Sequence, residues 1–441
     1  MDAKKFLIII MFLFNVVNSF GQVKKDSSYY AGELEAMRFY MKSTKNLESN
    51  RDYITIFNDL ISRSEYFKYS GYLDLISPWY NNVGHYNKGI ELEDIAFPEV
   101  KQKQLFSNND YKIEGAIDLI SEKSKSHQVI MINEEHRMSR HRILTTQLLE
   151  PLYLNGYRYL ALEALSKENL LKQGYPVLSN GSYIKDPLFG EMIRTAIKLG
   201  YKIISYEIET NSIGYTKERD PLKRQLFREK TQAKNIITKI LDKDSNAKIL
   251  VHGGRDHIAE VLEFQKIGLD SIEFGMMAGF FKKLANIDPF TVDQLQHKEH
   301  SDSIYESTIA KWVRKTDVKL NTSNILIDKK TNDLLSREVY DAAIIAKPTI
   351  FINNRPNWLI DMPDRSKLCI KVKRYLPKDS SFYMVQAIYK NEDLNKAIPA
   401  DQYAYQKGQK KVLLFLKKGD YVIRILNNKG ETLKQWEEKI N

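Results

Sequence analysis

Cysteine is almost absent: Cys369 is the only one in 441 residues. A lone thiol has no partner for an internal disulfide and cannot build a thiolate metal cluster within one chain. Gly-x-Ser-x-Gly is missing as well, which disfavours the strained strand-to-helix turn that exposes a nucleophilic serine. No catalytic-type motif surrounds Cys369, so a thiol nucleophile is disfavoured too. Without His-Glu-x-x-His there is no histidine pair at the helical spacing that seats a catalytic zinc. No period recurs often enough to make a solenoid, and no nucleic-acid-binding motif is present. The 67 basic and 56 acidic residues give a formal charge of +11. These charges are scattered ("KKLANIDPF", "EEKIN") rather than gathered into a stripe. That suits a solvated surface, or attraction to anionic envelope material, and implies no nucleic-acid partner.

What is present begins with a leader-like start. Lys4 and Lys5 precede the apolar run "FLIIIMFLFNVV", which ends in "NSFGQ" with small Ser19 and Gly21. The run is short for a bilayer crossing and has the flanks of a secretory signal peptide. It predicts export, to a periplasm or beyond, with cleavage near Gly21. With no cysteine near that point, a lipoprotein anchor is not expected.

The chain is long enough for two or three domains, and its pattern changes twice. Residues 24–110 carry apolar side chains at three- and four-residue spacing ("ELEAMRFYMKS", "RDYITIFNDLI", "YLDLISPWYNN"), a helical period. Residues 111–350 alternate short apolar runs ("QVIMI", "YRYLAL", "YKIISY", "AKILVH", "DAAIIA") with longer helical stretches, two of which close on Gly156 and Gly200. Strands alternating with helices predict an α/β domain with a largely parallel sheet flanked by helices. Residues 355–441 read as a small all-β domain, with hairpin turns at "KKGD" and "NNKG".

In an open parallel sheet the loops at the carboxyl ends of the strands converge and bind ligands. Four successive apolar runs here end in ionisable groups. "VIMIN" runs into Glu134, Glu135 and His136; "YLAL" into Glu163; "IISY" into Glu207; "ILVH" into "GGRDH" with Arg255, Asp256 and His257. Each strand would thus deliver charge to one shared edge, the floor of a site. Arg137, Arg140 and Arg142 read as a solvated helix face, and His252 as a satisfied histidine at a strand end.

The order "NEEH", His141, "ALE", "GRDH" resembles the erythromycin esterase-like and Tiki/ChaN-like superfamily over residues 115–350. On that resemblance Glu134 and His136 match its first motif, His141 the histidine that follows, Glu163 the acid of the second motif and His257 the last histidine. Arg228 and Asn235 in "FREKTQAKNI" match a helix of the esterase-like members, and "GFFKKLANIDPFTVDQ" a later segment. Asn133 stands where a glycine is usual, and Asp256 where a small residue is common. Members of the superfamily include lactone hydrolases, metal-dependent protease-like proteins and haem binders, so the resemblance alone leaves the activity open.

Hydrolysis of an ester, lactone or amide by activated water is the expected activity, on a small-molecule or peptide substrate. His136 or His257 would take the proton from water, with Glu134 or Glu163 fixing the tautomer. Crowding of Glu134, Glu163 and Glu207 should raise at least one carboxyl pKa, and Arg255, if turned inward, would stabilise an oxyanion. The same His136, His257, Glu134 and Glu163 are candidate ligands for a divalent metal such as zinc or manganese. His136 and His141, five residues apart, would turn away from each other on a helix. The alternative is a non-enzymatic envelope protein that binds haem or metal, with His141 as the candidate cofactor ligand and Tyr153, Tyr157 and Tyr159 beside the second strand.

Overall fold

The order of the elements follows the change in pattern along the chain. The computed structural model describes residues 26–98, 106–166, 170–209, 212–267, 270–316, 318–375, 382–406, 409 and 411–441. The expected signal segment, residues 1–21, lies outside them. Four helices come first: α1 (Ser27–Thr44), α2 (Asn50–Ser62), α3 (Ser70–Asn82) and α4 (Tyr86–Ala96). Ser49 and Asp52 form a reciprocal capping box that fixes the start of α2. Aromatic side chains fill the seams between the helices, with the Tyr53 and Trp79 rings 4.4 Å apart. No helix among the described residues is long and apolar enough to cross a membrane.

The middle of the chain is α/β. Strand β1 (Tyr111–Gly115) leads into α5 (Ala116–Lys123), β2 (Val129–Glu134), α6 (His141–Leu154), β3 (Tyr157–Leu162), α7 (Pro187–Leu199), β4 (Lys202–Ser205), α8 (Pro221–Ile236) and β5 (Lys248–Gly254). A hairpin of β6 (Leu262–Ile267) and β7 (Asp270–Gly275) follows, then α9 (Met277–Ala285), β8 (Phe290–Asp293), β9 (Ser323–Asp328), β10 (Ala342–Ala343) and β11 (Ile345–Ala346). Six strands pair in the order β10-β8-β2-β5-β3-β4, and every pairing is parallel. The expected sheet is therefore there, flanked by helices on both faces.

Alternation along β2 shows why both faces need cover. Ile130 and Ile132 pack with Leu144 and Leu148 of α6 and with Phe189 and Met192 of α7. Val129 and Met131 face the other way, toward Ala233 and Ile236 of α8 and Met277 and Phe281 of α9. A strand buried on both faces reads as a continuous apolar run, which is what "VIMI" is. Asp186 caps α7 through the Leu188 and Phe189 amides, with Pro187 in the first turn, and Gly200 closes the helix at φ 92°.

Two readings change. "DAAIIA" is not one strand: β10 joins the parallel sheet beside β8, while β11 pairs with β9 in a separate antiparallel sheet. The C-terminal region folds as small antiparallel sheets. There β12 (Phe351–Ile352) pairs with β13 (Arg355–Pro356), β14 (Arg365–Ile370) pairs with β17 (Val412–Lys417), and β15 (Phe382–Tyr389), β16 (Asp401–Gln406), β18 (Gly419–Asn427) and β19 (Thr432–Ile440) form a third sheet. "NNKG" is a true hairpin turn between β18 and β19. "KKGD" is not one, because β17 and β18 pair with different partners and the chain crosses between sheets at Gly419.

Candidate functional site

The parallel order places the ends of β2, β5, β3 and β4 side by side, and their charged residues meet there. Glu134, the last residue of β2, is 1% exposed. Its carboxylate accepts hydrogen bonds from Arg142 Nε at 2.8 Å, His252 Nε2 at 3.0 Å and His136 Nδ1 at 2.8 Å. Burial alone would raise its pKa; the Arg142 guanidinium and His252 outweigh that and hold it well below the usual carboxylate range. His252 is satisfied on both nitrogens, since Nδ1 meets the Thr145 hydroxyl at 2.9 Å.

With Nδ1 donating to Glu134, His136 keeps a lone pair on Nε2. That nitrogen lies over the end of β5. A Cβ placed on Gly254 would come within 2.2 Å of His136 Nε2 and 3.0 Å of Glu163 Oε2. Only glycine fits beneath the two groups, and they converge on one point. Glu163 itself accepts from the Gly254 amide and, at 2.6 Å, from Arg228. Its burial is outweighed by His257 and Arg228, which keep it ionised.

Helix α8 supplies the next layer. Arg228, Gln232 and Asn235 fall on one face. Arg228 bridges Glu163 and Glu207, Gln232 donates to Glu207 at 3.2 Å, and Asn235 donates to the Tyr206 carbonyl at 2.9 Å. His257 stands between carboxylates, with Nδ1 2.8 Å from Glu229 and Nε2 3.3 Å from Glu163. Arg228 Nη1 also lies 2.9 Å from Nε2. Arginine donates to that nitrogen in the neutral ring; protonated, the same nitrogen donates to Glu163. Burial disfavours the imidazolium, but Glu229 and Glu163 outweigh it and push the pKa up to about 10. The upward direction favours the imidazolium, which suits a proton donor and not the base role expected of it.

That shift sets a pH dependence. A pKa raised on folding contributes stability that is complete below the unfolded value near 6.5 and is lost as pH rises through about 10. Urea melts of the wild type should weaken between those limits, and His257→Gln should flatten the slope. An unchanged slope in the variant would refute the assignment.

The expected crowding effect is reversed at Glu134 and Glu163: both fall, because cations stand between the carboxylates, Arg142 and His252 at Glu134 and His257 and Arg228 at Glu163. Arg142 is 1% exposed, Arg140 is buried with it, and Arg137 is mostly covered and ion-paired, so none is a solvated face. Arg137, on the His136 loop, pairs with Asp74 of α3 and with Glu135 and accepts at its carbonyl from Asn81. The N-terminal helices thus hold the loop that carries His136. Asn133 ties three strand ends together: its amide donates to Asp293 and the Arg255 carbonyl and accepts from Gln294.

Other expected residues lie aside. Arg255 sits at φ 43°, is half exposed, and pairs with Glu135 at 2.9 Å, one step from the Glu134–Glu163 centre. His141 is buried at the start of α6, where its Nδ1 accepts from the Glu135 amide at 2.9 Å and burial pushes its pKa down to about 3. A water-sized cavity of about 10 Å³ touches it, too small for a cofactor. Tyr157 and Tyr159 are buried and offer no haem platform, and the Tyr157 hydroxyl donates to the His127 carbonyl. Among the described residues, no group of three or more His, Cys, Asp or Glu side chains is arranged to hold a metal. The oxygens of Glu134 and Glu163 are already turned to arginine, histidine and amide donors, so the metal-ligand set does not fit.

Glu229, Arg142 and Tyr183 were not singled out by the sequence as site residues. Tyr183 stacks on His136, with ring centroids 3.7 Å apart and planes 9° from parallel.

No protein-family model matches the sequence, and no curated protein matches it. Among solved structures, the type III effector HopBA1 is 15% identical at a TM-score of 0.28, covering 45% of this chain and 96% of its own. RRSP, a MARTX toxin effector domain from Vibrio vulnificus CMCP6, is 13% identical at 0.27, over 64% of this chain and 49% of that one. The C-terminal region of Pasteurella multocida toxin is 9% identical at 0.29, covering 94% and 57%. The chain thus spans about half the length of the last two, and at these scores the likeness bears on no residue role.

Proposed function

We propose that the protein is an exported hydrolase of the erythromycin esterase-like and Tiki/ChaN-like superfamily, which activates water with His136 against an ester, lactone or amide. The observation that carries this is the Glu134–His136 pair. Glu134 fixes the tautomer through Nδ1 and leaves Nε2 facing Glu163 across Gly254. A base must reach its water directly or through one intermediate, and it needs an orienting partner; this arrangement has both. A water held between Nε2 and Glu163 would pass its proton to Nε2 as its oxygen attacks the acyl carbon. Protonated His257 keeps Glu163 ionised, and Arg228 fixes its direction.

A panel of ester, lactone and amide substrates, run with and without a chelator, tests this. Turnover that survives the chelator and is lost on replacing His136 is the expected result. Chelator-sensitive turnover would move activation to a metal. Stoichiometric haem binding with no turnover would favour the binding-protein alternative.

A further inference from the structure

The Tyr183 ring stacks on His136, and its hydroxyl makes no hydrogen bond among the described residues. We infer that Tyr183 is a catalytic residue, donating its O–H to the substrate oxygen that gains charge when water attacks. This rests on the hydrolase reading and adds to it a donor that Arg255, paired with Glu135, does not provide.

Three features of the structure lead there. The first is placement. Tyr183 opens a 3-10 turn (Tyr183–Lys185) in the loop between β3 and α7. Gly181, two residues earlier, bridges Leu165 just beyond Glu163, and a Cβ on it would lie 1.9 Å from the Ala164 carbonyl. Any side chain there would lift the loop off the end of β3. On the other side, Asp186 pairs with Arg142 at 3.2 Å and accepts from Ser139. Arg142 in turn holds Glu134. The loop is therefore pinned both to the strand that ends in Glu163 and to the arginine that orients the Glu134–His136 pair.

The second is direction. The ring lies flat on the imidazole, so its hydroxyl projects past the edge of His136. There it lies among the charges of Arg137, Glu163, Asp74 and Glu135. Glu163, which shares a focus with His136 Nε2, is the first carboxylate among them, and we place the hydroxyl toward that space.

The third is chemical state. Burial pushes the phenol pKa up, and the nearby carboxylates add to that. The group stays protonated across the working range. A neutral phenol with no protein partner is a donor open to an acceptor. A substrate oxygen would satisfy it.

The step balances without a further reagent. Water's oxygen forms a bond to the acyl carbon, and its proton goes to His136 Nε2. The carbonyl π pair moves onto oxygen, where the Tyr183 O–H donates a hydrogen bond without transferring its proton. Collapse restores the carbonyl, and His136 returns the proton to the leaving group.

The tests compare Tyr183→Phe, which keeps the stacked ring and removes the donor, with Tyr183→Leu, which removes both. On para-nitrophenyl acetate, or on whichever panel substrate the wild type turns over, Tyr183→Phe should lower kcat by roughly a hundredfold with KM little changed, the usual effect of losing one oxyanion donor. Tyr183→Leu should lower kcat further, because it also frees the His136 ring. Wild-type kcat in Tyr183→Phe, with slow turnover in Tyr183→Leu, would reduce Tyr183 to a positioning residue and overturn the inference. Phenylphosphonate, an anionic tetrahedral probe, supplies an arm that needs no turnover: its binding should weaken about tenfold in Tyr183→Phe, the effect of about one hydrogen bond. Failure to bind the wild type, or equal binding to the variant, overturns the inference even where hydrolysis itself is in question.

Discussion

Replacing His136 by alanine should abolish most turnover and leave the fold in place. A positioned general base contributes about a hundred- to ten-thousand-fold to rate, and no neighbouring group can substitute. His257 is held as a cation by Glu229 and Glu163, with its pKa up at about 10. His252 gives both nitrogens to Glu134 and Thr145, and His141 is committed to the Glu135 amide. The structural cost should be small by comparison. The His136 side chain is 13% exposed and makes one side-chain hydrogen bond and one ring stack. Glu134 keeps Arg142 and His252 when the ring is gone. A loss of about 1 kcal/mol is the expected scale for one such bond. Stopped assays against urea midpoints would separate the two effects. Retention of more than a tenth of wild-type kcat would remove His136 from the reaction.

The site floor was legible because a buried parallel strand has a plain sequence form. Val129 to Ile132 must be apolar on both faces, so the change at Asn133 and Glu134 marks where the strand passes from apolar packing into the buried charge cluster. The same holds for Glu163 and Glu207. What surrounds these acids was not legible, because it comes from contacts between distant segments. Arg137, Arg140 and Arg142 have the spacing of an exposed helix face. Distant segments close over that loop instead, bringing Asp74 of α3 to Arg137, Thr349 to Arg140 and Asp186 to Arg142. Glu229 sits on a strongly polar helix, where nothing in the pattern distinguishes an inward carboxylate from a solvated one. Tyr183 lies in a 3-10 turn too short to have a period. The short strand β8 was lost for the same reason: a four-residue strand carries little alternation.

Arg142→Ala should be among the most destabilising single changes in the domain. Arg142 is 1% exposed and forks between two buried carboxylates, Glu134 at 2.8 Å and Asp186 at 3.2 Å, while its Nη2 also donates to the His136 carbonyl at 2.8 Å. Removing one partner of a buried pair leaves the other charge uncompensated, a cost of about 3–5 kcal/mol. Arg142→Lys should recover only part of this, since a single ammonium cannot reproduce the fork. The acid limb provides a second readout. A carboxylate whose pKa is depressed on folding contributes stability above its unfolded value, and loses it as pH falls through the folded one. Glu134 is depressed by Arg142 and His252 against its burial. Without the arginine its folded pKa rises toward the unfolded value, so acid unfolding should begin at a higher pH than in the wild type. The loop from Gly181 to Asp186 also loses its anchor, and with it the stack of Tyr183 on His136, so any activity that survives should fall with stability. A urea midpoint within about 1 kcal/mol of wild type, the scale of a surface pair, would mean that Arg142 is not the keystone of the Glu134–His136 pair.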